Sequence, residues 1–232
     1  MKNKITTTVL GKSYQNRDIE LIKFNKCDGP IVLLLAGVHG NESEGIDFLA
    51  RFKRQLIESP EVIDNLYIIP CFNVDGSFAN SRLNSRGVDL NRNLPTKDWV
   101  GDFEIDRYNP GKSAGSEIEN KILMKLIEDN DIAMIFSFHS IKPPVGDPMI
   151  NYNGHIKDFA ELIAPDCNLP AMPSIGYPTP GCLGTWAGIE NNVPTLTIEL
   201  LRDASSDDIW ALHGRGFLKS VHSAVDYLQN SR

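Results

Sequence analysis

The run Gly37-Val38-His39-Gly40-Asn41-Glu42 sets an imidazole and a carboxylate three residues apart, where the apolar stretch Ile31 to Ala36 gives out. One reading is a polar turn in which Glu42 opens a helix. The other is a metal site, with two ligands delivered by a single turn of chain. A catalytic zinc ion takes three protein ligands and keeps a fourth position for water. His139, at the end of the apolar run Ile132 to Phe138, could supply the third ligand from afar. Two imidazoles and a carboxylate suit zinc, and a zinc-bound water needs a base beside it. Glu199, closing Thr-Leu-Thr-Ile-Glu, is the candidate base; its alternative is a strand-end carboxylate facing solvent. The helical H-E-x-x-H motif does not occur. The stretch from Asn73 to Pro95 carries Arg82, Arg86 and Arg92 within eleven residues, among many asparagines. Such forked donors match carboxylates and can stabilise a developing oxyanion.

These residues need elements to bring them together. Ile5 to Leu10 and Ile19 to Phe24 read as a β-hairpin. Ile31 to Ala36 is continuously apolar, as in a strand covered on both faces. The stretch 42–57 has helical spacing at Ile46, Leu49, Phe52 and Leu56. Leu66 to Phe72 reads as a strand, followed by a turn at NVDG. Residues 80 to 113 form a long polar loop, and loops of that length are usually functional or disordered. Ser116 and Glu119 match a capping box at the head of a helix. Residues 141 to 154 and 174 to 188 read as irregular, with a short helix at DFAELIA between them. PTLTIEL reads as a strand and 206 to 228 as a closing amphipathic helix. Alternating strands and helices predict a single α/β domain over 1–232, a mixed, mostly parallel sheet with helices on both faces. Ligands of such sheets sit beyond the carboxyl ends of the strands. Parallel strands would therefore bring His39, His139 and Glu199 to one rim.

Composition narrows the function classes. A net charge of -7 and a pI near 5.2 leave no basic excess for nucleic acid. No apolar run approaches the ~18 residues of a membrane span, and no signal-peptide core follows Met1, so a membrane role is not expected. The cysteines Cys27, Cys71, Cys167 and Cys182 are scattered, with no C-x-x-C pair, and are expected to be reduced thiols. The oligomeric state is open, a homodimer included.

The order HGNE, GVDLNRN, strand-end His-Ser and strand-end Glu resembles the zinc carboxypeptidase family. The opening LGKSYQNRDI is similar to that family's opening, and the likeness runs along nearly the whole chain. The resemblance implies one zinc ion per chain on His39, Glu42 and His139, with Glu199 as the catalytic glutamate. It implies Arg82 as the oxyanion-stabilising arginine, with Arg86 as its rival. Asn91 and Arg92 match the pair that grips the substrate's free carboxylate. Tyr177 matches the substrate-capping tyrosine, and Ser140 joins the substrate contacts. Within the family the chain is short. GVDLNRNLP followed by Trp99, RYNPGKSAGSE and GYPTPGCLGTW resemble the murein tripeptide amidase branch. That implies a bacterial cytoplasmic enzyme of cell-wall peptide recycling, acting on the amide between γ-D-glutamate and meso-diaminopimelate. The same scaffold also serves ordinary carboxypeptidases and N-acyl amino acid deacylases of the succinylglutamate desuccinylase kind, and a non-catalytic binding scaffold is a third alternative. Candidates for pairing the far end of diaminopimelate lie in 141–154 and 174–186, for example Asp147. Asp89 is expected to brace the loop or a ligand histidine. His155, His213 and His222 are read as structural or exposed, and of the tryptophans only Trp186 is a candidate substrate platform.

Overall fold

The computed structural model describes residues 3–25, 27–59 and 61–230, so that Met1 and Lys2 of the N-terminal reading lie outside it. The described residues form an eight-stranded mixed sheet. Strands β1 (Ile5–Lys12) and β2 (Asp18–Phe24) make the hairpin, and β3 (Ile31–Ala36) and β4 (Leu66–Ile69) follow. The other strands are β5 (Ile132–Ile141), β6 (Met149–Asn153), β7 (Ala171–Met172) and β8 (Thr195–Leu201). Their order is β1-β2-β4-β3-β5-β8-β6-β7. The central strands β4, β3, β5 and β8 run parallel, while β2 and β6 pair antiparallel with β4 and β8. Every residue of β3 is buried, as its unbroken apolar run requires of a central strand covered on both faces.

Helices α1 (Ser43–Glu58), α4 (Lys157–Cys167) and α6 (Arg215–Asn230) cover one face, where Phe48, Phe52, Phe138 and Phe217 share a core. On the other face α3 (Ile118–Asp129) brings Leu123, Leu126 and Ile127 onto Leu33, Leu35 and Ile135. Trp186, on the π-helical turn Gly184–Glu190, is buried in this second core; it is a packing residue and not a substrate platform.

Several local readings are corrected. The fourth strand stops at Ile69, since Pro70 has no N–H for the ladder. NVDG is not a simple turn but opens a short helix, α2 (Val74–Phe78), capped by the Asn73 side chain accepting from Gly76 N at 2.9 Å. The stretch 141–154 contains β6, which exists because β8 pairs with it along its length. Ser116 and Glu119 form no capping box. Ser116 Oγ accepts from Asn93 Nδ2 at 3.0 Å and donates to Glu117 Oε1 at 2.7 Å, bracing the long loop, and α3 starts without a side-chain cap. The closing helix is interrupted: α5 (Ser206–Ile209) passes through a π-helical turn, Trp210–Gly214, into α6. The four cysteines are free thiols.

His213 lies in that π turn, buried, with Nδ1 donating to Cys167 O at 2.7 Å. Burial lowers its pKa, against the pull of that hydrogen bond. A histidine more acidic when folded than when unfolded leaves the unfolded chain holding more protons as pH falls. Stability is then full above the unfolded value near 6.5 and declines as pH drops below it toward the folded value. Urea midpoints should fall between pH 7 and pH 5, with a slope of up to about 1.4 kcal/mol per pH unit from this group. His213→Gln should flatten that segment, and an unaltered slope would refute the assignment.

Candidate active site

The parallel strands end on one rim, and a cavity of about 530 Å³ opens there. His139 and Glu199 occupy directly paired positions on β5 and β8, and Met149 of β6 stands across from Glu199. His39 comes from the turn after β3. Gly37 leaves the strand at φ +68, and Gly40 passes so close to Gly76 and Ser77 of α2 that a Cβ could not be accommodated. The two glycines therefore serve the turn and its contact with α2, not flexibility.

His39, Glu42 and His139 are all buried, and their ligand atoms lie within 4.8 Å of one another. His39 Nδ1 is 2.9 Å from Glu42 Oε1 and 3.2 Å from His139 Nδ1, which is itself 2.9 Å from Glu42 Oε2. The tautomer of His39 follows from its partners. Nε2 faces Asp89 Oδ1 at 3.1 Å and can donate to it, which in a neutral ring leaves the lone pair on Nδ1, the nitrogen that faces Arg82 Nη1 at 3.2 Å and the Glu42 and His139 ligand atoms. Imidazole and carboxylate lone pairs thus converge on one point, an arrangement that a cation satisfies. Their separations are close to the roughly 3.3 Å edge of a tetrahedron with zinc bond lengths. The donor set and the carboxylate behind His39 both fit zinc.

Asp89 organises this centre. It is wholly buried, and its Oδ1 also accepts from Asn91 N at 2.9 Å. Its Oδ2 takes both Arg82 Nε, at 3.0 Å, and Nη2, at 2.8 Å. Burial alone would raise its pKa, but His39 and Arg82 together hold it well below the usual carboxylate range. Glu42 is likewise depressed, since the attraction of His39 and His139 exceeds its cost of burial. Glu199 goes the other way. Burial lifts it to about 7, with Glu42 adding repulsion and His139 and Arg82 pulling against the shift.

Arg82, Asn91, Arg92, Ser140, Tyr177 and Glu199 all line the cavity with the three ligand candidates. Arg82 rests over the Tyr108 ring and points Nη1 at Glu42 Oε1, 3.4 Å away. Asn91 Oδ1 accepts from Leu183 N at 2.9 Å, so its amide nitrogen is the end left for a ligand. The same loop is clipped on at Leu94 N, which donates to Gly181 O at 3.0 Å, and this pins the stretch bearing Tyr177 beside Asn91 and Arg92. Burial and the charge of Glu199 raise the Tyr177 pKa, so the phenol stays protonated. Ser140 Oγ donates to Glu44 Oε2 at 2.8 Å and so also braces the His39 turn.

Arg86 does not join them. Its Nε lies 3.5 Å from Glu117 and its guanidinium sits over Tyr14, which leaves Arg82 as the arginine at the centre. Asp147 is exposed and outside the cavity lining. The strand residues lining its inner end are instead Thr197, Asn151 and Asn153, all uncharged. Asn151, Asn153 and Lys142 fall in the stretch 141–154 that the sequence singles out, though not at Asp147, whereas Thr197, Asn41, Arg107 and Arg202 carry no such signal.

Residues 1–153 match the family profile described as zinc carboxypeptidase. Murein peptide amidase A of Escherichia coli strain K12 is 32% identical over 178 residues, covering 72% of this chain and 69% of its own. Its namesake in Vibrio campbellii is 30% identical over 207 residues, covering 84% and 79%. The chain belongs to the zinc carboxypeptidase family. Membership makes it a zinc-dependent peptide-bond hydrolase, in keeping with the His-Glu-His cluster. The crystal structure of murein-tripeptide amidase MpaA from Escherichia coli O157 superimposes with a TM-score of 0.71 at 26% identity, covering 92% of this chain and 90% of that one. The profile match ends before Tyr177 and Glu199, which enter this zinc carboxypeptidase site through β8 and the loop ahead of it. Among the described residues no helix is long and apolar enough to cross a membrane.

Proposed function

We propose that this chain is a single catalytic domain that hydrolyses the amide between γ-D-glutamate and meso-diaminopimelate in murein tripeptide, in the bacterial cytoplasm. The observation that carries the reading is the cavity itself. It joins the zinc ligand set to a carboxylate anchor and to an inner end that is polar without being charged. The relatives named murein peptide amidase A support the same substrate. Diaminopimelate presents a free α-carboxylate beside the scissile amide, which Asn91 Nδ2 and Arg92 would hold. Its far end carries both a carboxylate and an ammonium. Thr197, Asn151 and Asn153 can pair with such a zwitterion without leaving a buried charge unmatched.

Zinc on His39, Glu42 and His139 would supply Lewis acidity and a water of pKa near 7. Glu199 takes the proton of the attacking water at its carboxylate oxygen and returns it to the leaving amine. A pKa near 7 suits both halves of that transfer. Arg82 donates to the carbonyl oxygen as negative charge develops, its guanidinium already oriented by Asp89. Tyr177 closes over the bound amino acid and excludes water.

The test is mass spectrometry of products from L-Ala-γ-D-Glu-meso-diaminopimelate. Free diaminopimelate and L-Ala-D-Glu should appear with zinc-loaded protein, vanish on chelation and return with zinc. No release from the zinc-loaded protein would overturn the substrate while leaving the metal site standing.

A further inference from the structure

The cavity wall is more cationic than this acidic chain would suggest. Arg82, Arg92, Arg107, Lys142 and Arg202 line it, against Glu42 and Glu199. Arg82 and Arg92 have work in the proposed reaction. Lys142 is paired with the exposed Asp203, and Arg107 is exposed and stacked on Tyr108. Arg202 differs from both.

Arg202 is the first residue after β8, three beyond Glu199. Thr197, which lines the inner end, is two residues before Glu199 on the same strand. Strand β8 therefore orders the cavity. The pocket for the leaving amino acid lies on one side of Glu199, and Arg202 lies on the other, where the acyl portion must run. Its backbone N donates to Ile141 O at 2.9 Å, and Nη2 donates to Asn41 O at 2.8 Å. Nη1 stands 3.7 Å from Glu42 Oε1, and the side chain is 21% exposed, on the cavity. The Asn41 contact engages one of five guanidinium N–H groups of a side chain that lines the cavity. Glu42 is engaged by both histidines and is a poor sink for this charge. A fixed cation so near a metal centre opposes metal binding, a cost offset when a substrate anion lies between them.

We infer that Arg202 reads the free α-carboxylate of the γ-linked D-glutamyl residue on the acyl side of the scissile bond, and so selects γ-glutamyl over α-linked peptides of neutral residues. This rests on the proposed function. A γ-glutamyl amide carries that carboxylate three carbons from the scissile carbonyl, whereas an α-linked residue carries a carboxylate at that separation only when it is itself glutamate. A guanidinium fork takes a carboxylate through two parallel hydrogen bonds, and Asn41 beside it lends a neutral amide.

The experiment compares kcat/KM for L-Ala-γ-D-Glu-meso-diaminopimelate with that for the same peptide bearing D-isoglutamine, in which the α-carboxylate is an uncharged carboxamide. Zinc-loaded wild type should prefer the carboxylate by about 10- to 100-fold, the range of charge-assisted hydrogen bonds. Arg202→Gln should bring the ratio close to one, and Arg202→Lys should keep part of it. Calorimetric binding of both peptides in a Glu199→Gln background should show the same ratios without turnover. Equal cleavage of both peptides by wild type overturns the inference while the amidase reading stands. An Arg202→Gln variant that lowers both peptides alike, with the ratio preserved, also overturns it, because Arg202 would then only latch the Asn41 turn. Diaminopimelate released from neither peptide by wild type overturns the functional reading and this inference with it.

Discussion

Glu199→Gln is expected to abolish turnover while leaving zinc in place. Glutamine matches the shape of glutamate but can neither accept the water proton nor deliver it to the amine. General acid and base contributions run at about 10²- to 10⁴-fold each, so kcat should fall by about a thousandfold or more. Glu199 is not one of the three converging ligand groups, so metal content by mass spectrometry should match wild type. Substrate binding should change little, because the proposed carboxylate anchor, Asn91 and Arg92, is untouched. Retention of kcat to within about tenfold would remove Glu199 from the proton transfer. Loss of zinc together with turnover would instead make it a ligand. The two outcomes separate cleanly because Glu199 reaches the site from β8, whereas the ligand candidates come from β5 and from the turn after β3.

The second large effect is expected at a residue that touches neither substrate nor metal. Asp89 places one carboxylate among four donors with no solvent to help: His39 Nε2, Asn91 N, and Nε and Nη2 of Arg82. An asparagine there cannot serve all four. With its oxygen toward His39 its amide meets the Arg82 guanidinium, donor against donor. Flipped, its amide meets His39 Nε2–H, and the imidazole relieves the clash by moving its proton to Nδ1. That removes the lone pair aimed at the metal. Zinc affinity of Asp89→Asn should drop by about 10- to 100-fold, measured by competition with a chromogenic chelator. Excess zinc should restore only part of the activity, since Arg82 has lost its orientation as well. An affinity within about threefold of wild type would show that His39 keeps its tautomer without the carboxylate.

Both predictions concern groups that differ in how far the sequence reveals them. His39 and Glu42 follow the apolar strand β3, and His139 and Glu199 lie two residues before the last residues of β5 and β8, which run on past the sequence-expected ends. These groups are legible because the carboxyl-terminal part of a buried central strand is where an apolar run first admits a charged or imidazole side chain. Parallel order then follows from the helices between strands, and it carries these ends to one rim. The sequence resemblance assigns Asn91 and Arg92 a role because their run, GVDLNRN, is contiguous. Strand β6 was hidden, since MINYN is rich in asparagine and lies between Gly146-Asp147-Pro148 and Asn153-Gly154, which read as loop; pairing with β8 holds it extended. Ser116 and Glu119 spelled a cap and made none, because Asn93 and Glu117 took the serine hydroxyl.

By itself, then, the sequence determined which chemistry is present: two imidazoles and a carboxylate for a metal, a base at a strand end, and forked donors in one loop. These follow from residue type and from strand periodicity, which are local. Only the tertiary structure decided which side chains use that chemistry. Arg82 and Arg86 are four residues apart in one loop, and what separates them is a buried carboxylate for each: Asp89 against His39 for the first, Glu117 at the head of α3 for the second. Arg202 gave no signal at all, because its place opposite Asn41 depends on a contact between residues 161 apart. Where a long side chain points is set by its partners, and those partners come from distant segments that only the folded chain brings within reach.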